Sequence, residues 1–378
     1  MVDPSFHPRE GDALLAEADS LHEATFHAVA RHAGHAPGRV NLIGDHTDYT
    51  GGLVFPMAID RETTIEFDRS EPVALTSRDF DGEVRFALPV DEPSAVRPAW
   101  GRYVAGVAAA MAERSLPTQG FSGTVSTTVP IGGGLSSSAA LEVAAALAYG
   151  LDTDVATLAA VCRRAEHLAT SVPCGIMDQL TSAAGVRDHA LLIDCHTLDI
   201  TPVRIPESLS VWVVDVSSRT LDGSEYPARV AQCAAAEREV GALRLADLDT
   251  VARIADPVVR ARARHVVSEN ERVREFAVAL AAGDAREAGR LMYASHRSLA
   301  RDFETSTAQM DAAVERCSRL PGVHGARMTG GGFGGCIVVL ADSDVSLGVD
   351  DLAAPASEQR LVMRVRAADG ASLATPLS

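Results

Sequence analysis

The stretch over residues 130–140, PIGGGLSSSAA, limits the possible folds of this chain more than any other feature. An apolar, strand-like segment over 121–129 precedes three glycines, and three serines then open an Ala-rich helix predicted over 137–149. Glycine lets a backbone approach an anion closely, and the free N–H groups and positive dipole end of a helix's first turn bind phosphate. A glycine turn with a serine N-cap explains the same residues, so this stretch alone leaves both interpretations open.

Two familiar glycine loops do not fit this stretch. No Lys follows the glycines, as a Walker A loop requires, and the spacing is not G-x-G-x-x-G, so a dinucleotide site is poorly supported. The chain has 34 Lys and Arg against 51 Asp and Glu, a net charge of −17, which disfavours non-specific binding to nucleic acid or anionic lipid. Any bound phosphate must therefore be held by a local site.

Two further glycine-containing segments hold residues that could bind a ligand. Residues 36–52 place four polar side chains between helix-breaking residues: Arg39, Asp45, His46 and Asp48. Such carboxylates and imidazoles can hydrogen-bond sugar hydroxyls, although a solvated polar turn has the same composition. Residues 328–336 contain five glycines before an apolar strand predicted over 337–340, which indicates either a tight turn or a backbone that passes close to a ligand.

Together the three segments resemble the three motifs of the GHMP superfamily of sugar and isoprenoid kinases, and most closely those of the galactokinase family. GRVNLIG followed by HTDY in the first segment is typical of galactokinases. The resemblance covers most of residues 30–341 and continues in other stretches, which are 174–179, 224–227, 263–273 and 291–303. It implies a two-domain α/β (α+β) GHMP kinase fold with the active site in the cleft between the domains. The N-terminal domain, of the ribosomal protein S5 domain 2-like type, is expected over 1–208, and a ferredoxin-like C-terminal domain over 209–378.

The resemblance implies an ATP- and Mg²⁺-dependent kinase that phosphorylates the C1 hydroxyl of D-galactose. A kinase for a related sugar (galactosamine, arabinose or a uronic acid) is an alternative, and a non-catalytic galactose sensor is a second. The sensor is disfavoured because the Ser138-Ala139 pair, which a regulatory relative lacks, is intact here. Expected partners are galactose and MgATP, with no nucleic acid and no membrane, in a monomer or weak homo-oligomer.

The resemblance also assigns roles to residues. Asp178 is the expected catalytic base and Arg39 the transition-state stabiliser. The expected galactose contacts are Asp45, His46, Thr47, Asp48, Gly175 and Tyr226. The expected ATP contacts are Ser77, Trp100, Gly132, Gly133, Gly134, Leu135, Ser136, Ser137 and Ser138. Ser138 and Glu166 are the expected Mg²⁺ ligands, whereas Glu166 taken alone is compatible with a surface ion pair.

Two departures from the family pattern stand out. Asp45 occupies a position where galactokinases usually carry Glu, and that carboxylate helps to hold the hydroxyl at the far end of the sugar from C1. After residue 340 the C-terminal end is short, since 341–359 is rich in Asp, Ser, Pro and Ala, and 362–370 resembles the family's closing strand. The first departure leaves the breadth of sugar acceptance open, and the second leaves the packing of the second domain open.

The remaining pattern is that of an ordinary cytoplasmic α/β protein. Six scattered cysteines indicate reduced thiols, and no signal peptide or membrane-spanning run is recognised. Helical periodicity is present over 10–33, 100–115, 154–170, 227–242, 257–282, 284–301 and 306–318. A loop and then a strand are predicted over 36–59, a hairpin over 61–90, and buried strands over 190–194 and 211–216.

Overall fold

The computed structural model describes residues 30–217, 225–348 and 361–374, together with Thr25. The helix predicted over 10–33 lies almost wholly outside the described residues, and its last two positions, His32 and Ala33, begin a strand. The part of 341–359 beyond residue 348 also lies outside them, as does Ser224 of the 224–227 stretch.

A six-stranded sheet in the order β13-β1-β3-β6-β4-β5 forms the centre of the N-terminal region. Strand β3 alternates polar and apolar residues, and its Ile65 and Phe67 are fully buried. An Ala-rich helix over 137–148 packs on β1 because both surfaces are small: a Cβ atom at Gly34 would lie 3.0 Å from the carbonyl oxygen of Ala144. The strands are β1 (His32–Asn41), β3 (Pro56–Arg69), β4 (Val73–Ser77), β5 (Val84–Phe86), β6 (Phe121–Thr127) and β13 (Ser372–Ala374).

A four-stranded sheet in the order β10-β11-β9-β12 forms the C-terminal region. Its β11 is buried on both faces, as the continuous apolar sequence predicts. After β12 the chain returns to the first sheet, where Ala374 of β13 pairs with Ala33 of β1. The strands are β9 (Leu209–Ser217), β10 (Val323–Met328), β11 (Gly335–Asp342) and β12 (Val362–Val365). A third, small sheet joins β2 (Leu53–Val54), β7 (His189–Asp194) and β8 (Ile200–Arg204).

The helices cover both main sheets. Their bounds are α1 (Gly101–Glu113), α2 (Ser137–Ala148), α3 (Val155–Thr170), α4 (Met177–Ala184), α5 (Tyr226–Val240), α6 (Leu248–Val251), α7 (Pro257–Ala281), α8 (Ala285–Ser298) and α9 (Ala308–Cys317). A short 3₁₀ helix spans Asp48–Thr50 and a π-helical turn spans Leu299–Phe303. No helix in the described ranges combines the length and apolar character that crossing a bilayer requires.

Most elements predicted downstream of residue 60 are confirmed, within a few residues at their ends. The hairpin predicted over 61–90 is confirmed only for β4 and β5, because β3 pairs with β1 and β6 instead. The loop predicted at the start of 36–59 is wrong, because residues 36–41 continue β1. The richness of 36–59 in Gly, Asp and Thr suggested a loop, but a shift in pairing register between Pro37 and Arg39 keeps residues 36–41 within the strand. Helices α4 and α6 and strands β8, β10 and β13 were not predicted. All six cysteines are free thiols, and five of them are buried.

Candidate active site

The three glycine-containing segments meet at Gly330. Its N–H donates to Asp45 Oδ1 of the first segment at 3.1 Å. A Cβ atom at Gly330 would lie 3.2 Å from the carbonyl oxygen of Gly134 in the second segment and 3.9 Å from Arg39 Nη2 in the first. Gly330 has φ of 80°, a value that glycine adopts without strain. Segments almost 300 residues apart in the chain therefore form one site.

Arg39 and Asp178 form a bidentate ion pair at this meeting point. Arg39 Nε donates to Asp178 Oδ1 and Arg39 Nη2 donates to Asp178 Oδ2, each at 2.7 Å. Arg39 lies in β1 just after its irregular pairing, and Asp178 lies in the first turn of α4. The Arg39 side chain is 4% exposed, whereas that of Asp178 is 29% exposed. The carboxylate is thus held from one side and open on another.

The glycine loop of the second segment accepts hydrogen bonds from the same arginine. Arg39 Nη1 donates to the carbonyl oxygen of Gly134 at 2.7 Å, and the Arg39 N–H donates to that of Leu135 at 3.0 Å. Gly132 and Gly134 have φ of 77° and 76°, and a Cβ atom at Gly132 would have no neighbour within 4 Å. The loop therefore has an open side at the N-terminus of α2, where N–H groups are available to an anion.

Ser138 and Glu166 lie together beside this loop. Ser138 Oγ, on α2, donates to Glu166 Oε1, on α3, at 3.1 Å, and Gln179 Nε2 donates to Glu166 Oε2 at 2.7 Å. Burial, followed by the charge of Asp178, raises the pKa of Glu166. These contacts replace the surface ion pair that was the alternative for Glu166.

The Ser138–Glu166 pair fits Mg²⁺ by the chemistry of its donors. Among the described residues, no cluster of three or more His, Cys, Asp or Glu side chains could hold a metal. One hydroxyl and one carboxylate suffice for Mg²⁺, since this ion keeps several waters and takes phosphate oxygens from a nucleotide. A cation bound at Glu166 would favour its charged form and so lower this raised pKa.

Sequence reasoning missed Glu142, a fully buried carboxyl group one helical turn after Ser138. Gln179 Nε2 donates to Glu142 Oε2 at 3.1 Å, so one amide bridges Glu142 and Glu166. Burial raises the pKa of Glu142 well above its usual range, and the charge of Glu166 adds to the shift. A single acid within the otherwise apolar stretch SSAALEVAAALA was the available signal.

The predicted sugar contacts Asp48, Gly175, His46 and Tyr226 also come together. A Cβ atom at Gly175 would lie 1.7 Å from Asp48 Oδ2, so a larger residue there would displace this carboxylate. Burial, with the charge of Asp178, raises the pKa of Asp48 to about 6. The His46 ring lies 5.5 Å from that of Tyr226, and its Nδ1 lies 3.1 Å from the Tyr49 hydroxyl. Polar groups and ring faces are thus combined next to Asp178.

Asp45 is enclosed instead of open. Its side chain is 2% exposed, its Oδ2 lies 2.7 Å from Nη2 of the fully buried Arg327, and its Oδ1 accepts from Gly330. Burial raises the pKa of Asp45, against the opposing charge of Arg327. Arg327 also lies 3.7 Å from Glu269 Oε1 and donates to Ser295 Oγ at 3.1 Å. Both oxygens of Asp45 are therefore engaged within the protein.

Three other predicted contacts use their polar atoms to support the fold. The Thr47 hydroxyl lies within hydrogen-bond distance of two carbonyl oxygens of its own loop, at 2.7 and 2.9 Å. Ser77 Oγ accepts from the N–H groups of Asp79 and Phe80. Trp100 is 8% exposed, and its ring stacks on Phe80 at 5.4 Å. Ser77 and Trp100 thus meet at one turn, beside the strand β6 that leads into the glycine loop.

Comparison with known proteins places this geometry in a family. The family model described as the galactokinase galactose-binding signature matches residues 20–69, that of the GHMP kinases N-terminal domain matches 102–186, and that of the GHMP kinases C-terminal domain matches 276–354. Galactokinase of Bos taurus is 43% identical over 363 residues, covering 90% of this chain and 91% of that protein. Galactokinase of Homo sapiens is 44% identical over 354 residues, covering 88% and 89%.

Solved structures give the same result. The crystal structure of Lactococcus lactis galactokinase complexed with galactose superposes with a TM-score of 0.87 at 29% identity, covering 95% of this chain and 99% of that one. Methanococcus jannaschii mevalonate kinase superposes with a TM-score of 0.62 at 18% identity, covering 89% and 98%, which shows a shared fold.

Proposed function

This chain belongs to the galactokinase family of GHMP kinases, and we propose that it transfers the γ-phosphoryl group of ATP to the C1 hydroxyl of D-galactose. The products are galactose 1-phosphate and ADP, and the reaction is the first step of galactose catabolism. One observation carries the proposal: the open Asp178–Arg39 pair is bonded directly to Gly134 of the glycine loop. A sugar hydroxyl on Asp178 would therefore lie beside phosphates bound at that loop.

Asp178 and Arg39 act on the reacting atoms. Asp178 accepts a hydrogen bond from the C1 hydroxyl, orients its oxygen towards the γ-phosphorus and takes its proton as the O–P bond forms. The bond from the γ-phosphorus to the bridging oxygen breaks, and ADP leaves. Because phosphoryl transfer needs positioning and charge stabilisation more than covalent chemistry, Arg39 contributes by offsetting the negative charge at the transferring group.

The nucleotide is held by the second segment. The backbone N–H groups over 132–138 and the dipole of α2 bind the phosphates. Ser138 and Glu166 would hold Mg²⁺, which when bound neutralises charge on the phosphate oxygens. Ser77 and Trp100, at their shared turn, lie at the nucleotide end of the site.

The sugar is held by Asp48, His46, Tyr226 and the space that Gly175 leaves. Carboxylate and imidazole groups accept hydrogen bonds from sugar hydroxyls, and ring faces pack on C–H surfaces. Asp45 and Thr47 support this loop from behind. We place the domain division at 208/209, where β9 begins the second sheet, with β13 returning to the first. The enzyme is expected in the cytoplasm, as a monomer or weak homo-oligomer.

A kinase for a related sugar is the second candidate, because Asp45 stands where the family usually has Glu. Measuring kcat/KM by ADP release with galactose, galactosamine, arabinose and galacturonic acid separates the two. The proposal expects galactose to give the highest value and ³¹P NMR to show phosphate on C1. A higher kcat/KM for another sugar would replace galactose as the substrate, and the absence of ADP release with every sugar would favour a sensor.

The same panel, with 6-deoxygalactose added, tests Asp45 itself. Since both oxygens of Asp45 are held by Arg327 and Gly330, this carboxylate would reach the far hydroxyl of the sugar only through a water, and the parent should discriminate less sharply among sugars than Asp45→Glu. Galactose kcat/KM should change by less than about tenfold, or ~1.4 kcal/mol. Equal rejection of 6-deoxygalactose and galactosamine by both forms would contradict this expectation.

A further inference from the structure

Ser136 occupies the N-cap position of α2 without capping the helix. Its backbone has φ of 61° and ψ of 45°, in the left-handed region that residues other than Gly and Asn rarely adopt. Its side chain makes no hydrogen bond to the first turn of α2, although serine is favoured at N-caps for that bond. Since neither propensity nor capping accounts for serine here, the hydroxyl must serve another group.

That group is Asp178. Ser136 Oγ donates a hydrogen bond to Asp178 Oδ2, the same oxygen that accepts from Arg39 Nη2. Ser136 is 8% exposed, so its hydroxyl is largely enclosed by the protein. We infer that the side chain of Ser136 positions Asp178 and does not contact the nucleotide, an inference that rests on the proposed role of Asp178.

The three residues of the loop before α2 hold both members of the catalytic pair. The Gly134 and Leu135 carbonyl oxygens accept from Arg39, and the Ser136 hydroxyl donates to Asp178. The left-handed turn at Ser136 directs its hydroxyl away from the helix, which leaves the first N–H groups of α2 available to phosphate. One residue therefore couples the shape of the phosphate loop to the position of the carboxylate.

Ser136 also determines which oxygen of Asp178 meets the sugar. A carboxylate oxygen accepts about two hydrogen bonds. Asp178 Oδ2 has both, from Arg39 Nη2 and Ser136 Oγ, whereas Oδ1 has one, from Arg39 Nε. The remaining acceptor position is on Oδ1, and it is there that the C1 hydroxyl donates. Without the Ser136 hydroxyl the two oxygens become equivalent, and the sugar hydroxyl can bind in an unproductive orientation.

The test compares Ser136→Ala with Ser136→Gly in steady-state kinetics. Both variants lack the hydroxyl, but Gly adopts the left-handed backbone freely, so only a role of the hydroxyl makes both fail. We expect kcat to fall about 10-fold to 100-fold in both, with KM for ATP changed by less than about threefold. Ser115→Ala is the matched control, since Ser115 is exposed and also left-handed at φ of 55°; it should behave as the parent.

The double variant Ser136→Ala with Asp178→Asn completes the test. If Ser136 acts through Asp178, the kcat of the double variant equals that of Asp178→Asn alone. Additive losses, a normal kcat in Ser136→Gly, or a rise in KM for ATP without a fall in kcat would each overturn the inference. Near-parent kcat in Asp178→Asn would instead overturn the proposed catalytic role itself, so the two failures are distinguishable.

Discussion

Two arginine–aspartate pairs in this protein have the same separation of 2.7 Å and different surroundings. In the pair Arg39–Asp178 the acid side chain is 29% exposed, whereas in the pair Arg327–Asp45 it is 2% exposed. Both pairs lie within the glycine-containing segments or bond to them. The geometry of an ion pair therefore does not identify a catalytic group, and the access that a substrate has to the carboxylate is the feature that distinguishes the two pairs.

The neighbours of the enclosed pair show what it does. Glu269 lies 3.7 Å from Arg327, accepts from Arg272 at 2.7 Å and accepts from Gly44 at 3.0 Å. Burial alone would raise the pKa of Glu269, but the charges of Arg272, His265 and Arg327 outweigh it, and the pKa lies at about 2. This charged network joins the loop that carries Asp45 to the C-terminal region. It therefore fixes the two regions against each other.

Breaking the open pair should have the largest effect. Arg39→Ala should lower kcat by about 10³-fold, because it removes charge stabilisation that is strongest in the transition state. Asp178→Asn should lower kcat by about 10²-fold or more, because the sugar hydroxyl loses its proton acceptor. KM for ATP should change little in both. The measurement is steady-state kinetics with an ADP-release assay, and a variant that retains parent turnover would refute the assignment of that residue.

Breaking the enclosed pair should act on folding instead. Arg327→Met leaves Asp45 and Glu269 buried without their shared partner and should lower the free energy of unfolding by about 3 kcal/mol or more. Arg319→Met is the matched control: its ion pair with Glu315 is exposed on both sides and should contribute less than about 1 kcal/mol. Urea unfolding of both variants measures this. Equal stability of the two would show that the network does not hold the regions together.

The Ser138–Glu166 pair adds a third case, because it is a partly buried polar pair at the same site with a different proposed task. Ser138→Ala and Glu166→Ala should each raise the Mg²⁺ concentration for half-maximal rate by about tenfold. Binding of Mn²⁺ with ADP, followed by electron paramagnetic resonance, should weaken in parallel. Glu113→Ala, which removes an exposed carboxylate paired with Arg164, is the control. Mg²⁺ titrations that overlay the parent would exclude both residues as ligands.

A smaller effect is expected from pH. The pKa of Asp48 is raised to about 6, so its charged form is lost as the pH falls through that value. Because the ionised carboxylate is the better acceptor for sugar hydroxyls, kcat/KM for galactose should fall by up to about tenfold per pH unit below 6. Asp48→Asn should have a lower but flatter profile. An identical acid limb in Asp48→Asn would assign the titration to another group.

The sequence was sufficient to predict the features that depend on a local pattern or on the family resemblance. Helical periodicity predicted α3 and α7, and the motifs placed Arg39 beside Asp178 although 139 positions separate them. It was insufficient where burial gives a residue its role. Nothing local distinguishes Arg327 from the many exposed arginines, because only the fold brings Asp45 and Glu269 to it.

The direction of a side chain was also beyond the sequence. The three serines over 136–138 look alike, but Ser136 has a left-handed backbone and bonds Asp178, whereas Ser138 lies in α2 and bonds Glu166. Likewise Asp45 and Asp48 share one motif, and only the structure shows that the first is enclosed by Arg327 and the second lies against Gly175. Backbone conformation and packing decide both cases.

The most direct test measures kcat and the free energy of unfolding for Asp178→Asn and Asp45→Asn side by side. The difference in substrate access to the two carboxylates predicts opposite outcomes for the same Asp-to-Asn substitution. Asp178→Asn should lower kcat by about 10²-fold or more, and because its carboxylate is 29% exposed it should lower the free energy of unfolding by less than Asp45→Asn does. Asp45→Asn should lower the free energy of unfolding by about 3 kcal/mol and leave kcat of the folded enzyme within about tenfold. Similar losses of kcat in both variants, with unchanged stability in both, would contradict the account.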